Sequence, residues 1–211
     1  MPLQDTPMPN LIRLLFIAIA WGIVWLYAPV LLTRLMRMQH VPYVGLGVLT
    51  YGVVYLLWLR QRSQFWQTLD HELSHALWTA LSFKPIRELN VHHHGNGYIK
   101  HQGEHNLLIC LAPYFFRSPV WIAVLLVSMI QQKPLLYIAQ FGLGLTIGYA
   151  LLAIIQEAKP HQPDLKVYGL LCSYSCIAAL NVLTWGIVFA LTTGGTKTAL
   201  LFLKQGLSKI S

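Results

Sequence analysis

Long apolar runs, separated by short polar segments, dominate the chain. Residues 14–33 contain no charge and are closed by Arg34 and Arg37; residues 41–59 form a second such run, bounded by His40 and by Arg60 and Arg62. Residues 134–156 form another, and 165–191 is a further long apolar run with Lys166 near its start. A helix of about 20 apolar residues is long enough to cross a bilayer. Within 134–156, Gly144 and Gly148 stand four apart, a spacing that lets two helices approach closely. Two runs are different. Residues 65–83 are apolar except for a cluster that includes Asp70, His71, Glu72 and His75. Residues 107–130 are interrupted by Arg117-Ser118-Pro119, which leaves two pieces of about 10 and 13 residues, each too short to cross alone.

Between these two runs, residues 84–105 are polar. Ile86, Leu89 and Val91 precede Gly95-Asn96-Gly97, and Tyr98 and Ile99 follow. Gly and Asn tolerate positive φ, so the pattern predicts a β-hairpin. The last segment, 197–209, carries Leu200, Leu201, Leu203 and Leu207 among three lysines and is expected to lie on a membrane surface. The expected fold is an all-α polytopic membrane protein of about six transmembrane helices, with a small membrane-associated hairpin after the third run. It is one integral membrane domain over 1–211: two spans in 14–59, a core at 65–191 and an amphipathic tail at 192–211. The Ala18-Ile19-Ala20 triplet resembles a signal-peptidase site, but the apolar run continues past it, so an uncleaved anchor is expected.

Composition agrees. Of 211 residues, 55% are hydrophobic and only 10% charged, against about 25% charged in soluble domains. This excludes an ordinary soluble globule and a disordered chain. The net charge of +8 comes mostly from basic residues flanking the apolar runs, where lipid headgroups are their natural partners and nucleic acid is not. The three cysteines, Cys110, Cys172 and Cys176, all lie in apolar stretches and form no disulfide framework. Cys172 and Cys176 are expected to be small buried helix residues. Asn181 and Gln140 are polar within spans, where hydrogen bonding between helices accounts for them.

His71-Glu72-Leu73-Ser74-His75 has the H-E-x-x-H spacing. Residues four apart share one helix face, so both imidazoles can reach one metal ion. Zinc suits neutral imidazole, and Glu72, beside the first ligand, is placed to take a proton from a water that the metal activates. Ionisable groups in an apolar helix are costly unless paired or used. A third protein ligand is required. Asp164 is the leading candidate, in Lys159-Pro160-His161-Gln162-Pro163-Asp164-Leu165, where two prolines forbid regular helix. His161 and Glu157 are alternatives, and Asp164 is also well placed to cap a helix starting at Leu165. His92-His93-His94, with His101 and His105, form a dense cluster without fixed ligand spacing.

This combination resembles the site-2 protease family of intramembrane zinc metallopeptidases, in particular its small branch without accessory domains. The resemblance covers roughly 65–191. It implies that His71, His75 and Asp164 bind zinc and that Glu72 is the general base. It further implies that Asn96, Gly97 and Tyr98 on the hairpin meet a membrane-protein substrate as it unfolds. Leu111-Ala112-Pro113 partly matches the family's Ala-Gly-Pro, whereas Leu165 follows the aspartate where the family has Gly. The expected function is therefore an intramembrane zinc-dependent endopeptidase. The rival readings are a non-proteolytic metal-binding scaffold or chaperone and an ion transporter.

One conflict follows. If every run crossed once, His71 and Asp164 would start at opposite faces and could not share a metal. The Arg117-Ser118-Pro119 break predicts that 107–130 is re-entrant, entering and leaving by one side; a single tilted span is the alternative.

Overall fold

The computed structural model describes residues 8–37, 41–61, 64–91, 97–103 and 106–209. Most of these are helical. The elements in order are α1 (Asn10–Arg37), α2 (Val41–Leu57), α3 (Gln64–Leu81), β1 (Ile86–Val91), β2 (Gly97–His101), α4 (Leu107–Leu111), α5 (Ser118–Met129), α6 (Lys133–Glu157), α7 (Pro163–Val167) and α8 (Leu170–Leu207). Among the described residues, α1, α6 and α8 are each long and apolar enough to cross a membrane. The α4–α5 pair qualifies only when taken as one broken span, and α2 is a shorter apolar helix of 17 residues. Length and composition therefore support three spans, or four with the bent pair; the expected six are not reached.

The outside of the bundle is apolar. Trp25, Leu57, Met129, Ile155 and Leu171 all point outward, and only 11% of the apolar window of α1 is buried. Apolar exposure on this scale needs an apolar surrounding.

α2 and α6 run parallel and in close contact. Tyr43 stacks on Tyr137, Gly47 faces Gly144, Tyr51 lies over Gly148, and Gln156 Nε2 donates to Tyr55 Oη. A Cβ on Gly144 would stand 2.9 Å from the Gly47 Cα, so the small-residue spacing does its expected work here. α1 begins beside α7 and the start of α8, with Ala20 packed among Leu165, Cys172 and Cys176. It ends against the middle of α8, with Tyr27 and Val30 beside Ala190. One end of the bundle, the near end, thus gathers the start of α1, the ends of α2 and α6, α7 and the start of α8.

Three expectations change. First, the apolar run 165–191 is not one helix. It breaks at Gly169, whose φ of 85° is readily adopted only without a side chain, and this separates α7 from α8. Second, the tail does not lie free on a surface. α8 turns at Gly194-Gly195, with Gly195 at φ 65° and ψ −158°. Its second limb, 196–207, doubles back so that Phe202 lies on Gly186 and Tyr27 Oη donates to the Leu203 carbonyl at 3.0 Å. Third, 107–130 is not one continuous helix but a bent pair, which is either a broken span or a re-entrant loop. It is bent by 74° between α4 and α5, close to the predicted break. α4 packs against α7 at the near end, whereas α5 leads to the start of α6 at the far end. Gln67 Nε2 of α3 meets Gln156 Oε1 at 3.2 Å, and Asn106 Nδ2, just before α4, donates to Ser82 Oγ at 3.2 Å. α3 thus meets the end of α6 near its own start and the segment before α4 at its own end.

β1 and β2 pair antiparallel, with Leu89 opposite Ile99 and Val91 opposite Gly97 and an irregularity between Ile86 and Glu88. The predicted hairpin is present. Gly97 begins β2 instead of lying in the turn.

Gly144→Leu should lower stability in detergent by about 1–3 kcal/mol, the usual cost of overpacking. Gly142→Leu, where a Cβ would meet nothing within 4 Å, should be nearly neutral. Thermal unfolding of the two variants side by side checks this.

Candidate metal centre

The helical spacing of α3 puts His71 and His75 one turn apart on one face. α7 brings Asp164 to them. Gln162 takes the N-cap position of α7, with Pro163 and Asp164 in its first turn, so Asp164 is not the cap and its carboxylate is free for the histidines. His71 Nε2 and His75 Nε2 are 3.2 Å apart. Asp164 Oδ2 lies 3.5 Å from the first and 3.4 Å from the second. Ligand atoms bonded at about 2.0–2.1 Å to a tetrahedral ion stand about 3.3–3.4 Å from one another. These three side chains therefore fit one such ion and leave its fourth position open.

The other ring nitrogens are held by acceptors. His71 Nδ1 donates to Glu157 Oε2 at 2.7 Å, and His75 Nδ1 donates to the Ile109 carbonyl at 2.7 Å. With the proton on Nδ1, each Nε2 presents a lone pair to the metal position, the usual way outer partners orient ligating histidines. The Ile109 carbonyl is available for a chemical reason. It already accepts from Ala112 N–H, and four residues on stands Pro113, which has no N–H to add the usual i+4 bond, so one lone pair is left for His75. Asn106 fixes α4 from its other end, its Oδ1 accepting from Ile109 N at 2.8 Å.

A second layer surrounds the first. Arg117 is buried, donating through Nη1 to Asp70 Oδ2 at 3.3 Å and through Nη2 to Glu157 Oε2. Asp70 also accepts from Ser118 N at 3.2 Å, Ser118 Oγ and Tyr149 Oη at 3.0 Å. Tyr114 is fully buried, its ring edge-on to His71 with centroids 5.7 Å apart. Its hydroxyl reaches Asp164 Oδ2 at 3.4 Å. Asn181 Nδ2 donates to the Tyr114 carbonyl at 2.8 Å, the interhelical bond expected of it. Gln140 is buried without a partner for Oε1.

Glu72 is buried on the hairpin side of α3, close enough to feel the charges of His71, His75, Asp164 and Glu157. A Cβ on Gly97 would lie 2.7 Å from Glu72 Cγ and 3.0 Å from its Oε1. Only glycine lets β2 start so close to that carboxylate. Tyr98 turns to the outer face instead. There Tyr98 Oη and Lys100 Nζ donate to Glu88 at 2.5 and 2.7 Å. Lys100 first, then Tyr98, holds the Glu88 carboxyl below its ordinary value.

The structure thus brings together His71, His75, Asp164 and Glu72, with Gly97 against Glu72. Glu157 becomes a partner of His71, and His161 is exposed. Asn96, His92, His93, His94 and His105 lie outside the described residues. Cys172 and Cys176 are buried in the apolar core, as expected. Missing from the sequence reading were Arg117 as a bridge between acids, Tyr149, Tyr114 and the Ile109 carbonyl. A lone arginine in an apolar run must find acids, and Asp70 and Glu157 were the ones left over; that signal was present.

The fold and site describe a helical bundle, apolar outside, with a partly buried two-histidine, one-aspartate cluster that could hold a metal ion. Comparison with protein-family models, curated proteins and solved structures finds no match.

Metal analysis of the purified protein should find one ion per chain in the wild type and in His161→Ala, and none in His71→Ala or Asp164→Ala. Retention by Asp164→Ala would remove the aspartate from the site.

Proposed function

We propose that this chain is a multi-pass membrane zinc endopeptidase that hydrolyses peptide bonds of membrane-embedded proteins, as its resemblance to the site-2 protease family implies. One observation carries the reading: the Nε2 atoms of His71 and His75 and the Oδ2 of Asp164 converge at tetrahedral separations beside Glu72. His71, His75 and Asp164 would hold the zinc. Two imidazoles and one carboxylate with an open fourth position suit this ion and its catalytic use. Bound there, zinc supplies Lewis acidity toward the substrate carbonyl and the attacking water.

The remaining work falls to the chain itself. Glu72 takes a proton from the attacking water onto its carboxylate and hands it to the leaving amine nitrogen as the C–N bond breaks. Glu157 and the Ile109 carbonyl keep the imidazoles in the tautomer that the site needs. A substrate must be extended to be cut, because helical carbonyls are hydrogen-bonded and shielded. The hairpin supports this requirement: a substrate segment can add to a strand edge by main-chain hydrogen bonds, and Gly97 stands against Glu72.

Glu72→Gln should keep its zinc and lose cleavage by at least about 100-fold, the low end of a general base's contribution. The readout is the set of new protein N-termini in membranes that express wild type or variant, with zinc measured on the same preparations. Unchanged cleavage would rule out this chemistry; equal zinc with no cleavage in either protein would favour the scaffold reading.

If 107–130 is one broken span, Lys100, on the hairpin, and Lys133, at the start of α6, should be reached from opposite sides of the membrane. Single Lys100→Cys and Lys133→Cys variants, labelled with an impermeant maleimide in sealed vesicles, test this. Labelling of both from one side would instead make 107–130 re-entrant.

A further inference from the structure

Arg117 contacts no metal ligand, yet the structure ties it to one. Its guanidinium is 2% exposed. It lies where the chain breaks between α4 and α5, and forks between two carboxylates from two other helices. Nη1 donates to Asp70 on α3, next in sequence to His71, and Nη2 to Glu157 at the end of α6. Glu157 Oε2, the atom that Arg117 holds, also accepts from His71 Nδ1 at 2.7 Å. Ser118 adds its backbone N–H and its hydroxyl to Asp70. The fork thus fixes Glu157 relative to α3, and Glu157 fixes the ring of His71.

We propose that Arg117 is a positioning residue for the metal site: it holds Glu157 where that carboxylate orients His71, and so sets metal affinity from outside the ligand shell. The proposal rests on the metal reading of His71, His75 and Asp164. A lysine cannot replace the arginine here. It keeps the charge, but its three donors radiate from one nitrogen on a flexible stem, whereas the planar guanidinium sets Nη1 and Nη2 in a fixed fork, one to each carboxylate. Removing an outer partner of a metal ligand typically weakens metal binding about 10–100-fold. Because Arg117 acts through Glu157, the two losses should not multiply. Groups that act as one unit show such non-additivity in a double-mutant cycle.

The experiment measures zinc affinity by chelator competition in detergent for wild type, Glu157→Gln, Arg117→Lys and the double variant. Cobalt absorption reports ligand geometry in the same set, and thermal unfolding of the metal-free proteins reports stability. Glu157→Gln should bind zinc about 10–100-fold more weakly. Arg117→Lys should also bind more weakly, with an altered cobalt spectrum, and the double variant should bind no more weakly than Glu157→Gln. If Arg117→Lys does not fold, Arg117→Gln combined with Asp70→Asn removes one positive and one negative charge together and should show the same weakening. Wild-type affinity in Arg117→Lys or in that pair would overturn the proposal, as would losses that multiply in the double variant. A wild type that binds no zinc would instead overturn the metal reading itself, and the proposal with it.

Discussion

An ionisable side chain carried into an apolar bundle must be met there. Left alone, it costs several kcal/mol or forces the chain elsewhere. Here that constraint converges on Arg117, buried between Asp70 and Glu157. Removing one partner from a buried ion pair typically costs about 3–5 kcal/mol, because the other charge is left unanswered. The pairing therefore decides where three elements meet: the polar helix α3, the break before α5 and the end of α6. The bend of 74° follows from it. A straight helix through 107–129 could not bring the Arg117 guanidinium and the Ser118 N–H to Asp70 together.

The candidate metal centre sits on this junction. α3 supplies both histidines, α7 the aspartate, α4 the carbonyl that orients His75, and α6 the carboxylate that orients His71. Each ring is fixed through its second nitrogen, so the metal-facing nitrogens are arranged before an ion arrives. Pro113 contributes by something it lacks. Its missing N–H leaves one lone pair of the Ile109 carbonyl, which also accepts from Ala112 N–H, for His75, and this gives a physical role to a tripeptide that looked like only a partial family match. The rest of the bundle brings these elements to one end. Close packing of α2 on α6 at Gly47 and Gly144, and the doubling back of α8 at Gly194-Gly195, build a frame for a polar cluster that its own contacts alone could not place.

The hairpin extends this logic outward. Its outer face is an ordinary exposed ion-pair surface of Glu88, Lys100 and Tyr98, worth little in stability. Its inner end touches Glu72 through a glycine. The Glu72 carboxylate and a strand edge are thus neighbours, the arrangement that the proposed endopeptidase reading requires.

Much was legible from residue order because it depends on local spacing. The apolar runs gave the helices α1, α2 and α6 nearly to their ends, since burial of a helical face repeats along the chain. The H-E-x-x-H spacing placed His71 and His75 on one face of α3, because four residues make about one turn. The choice of Asp164 followed from ligand number alone. Tertiary structure decided what depends on distant partners. The interruption at Arg117-Ser118-Pro119 marked the place of the bend, but the angle of 74° between α4 and α5 was set by the partners that Arg117 and Ser118 meet. The tail's amphipathic leucines read equally as a membrane-facing or a helix-facing stripe, and only the turn at Gly194-Gly195 set Phe202 on Gly186. The roles of Arg117, Glu157 and Tyr114 were beyond a linear reading for the same reason. A charge states that it needs a partner, but which partner it meets is decided when the helices pack.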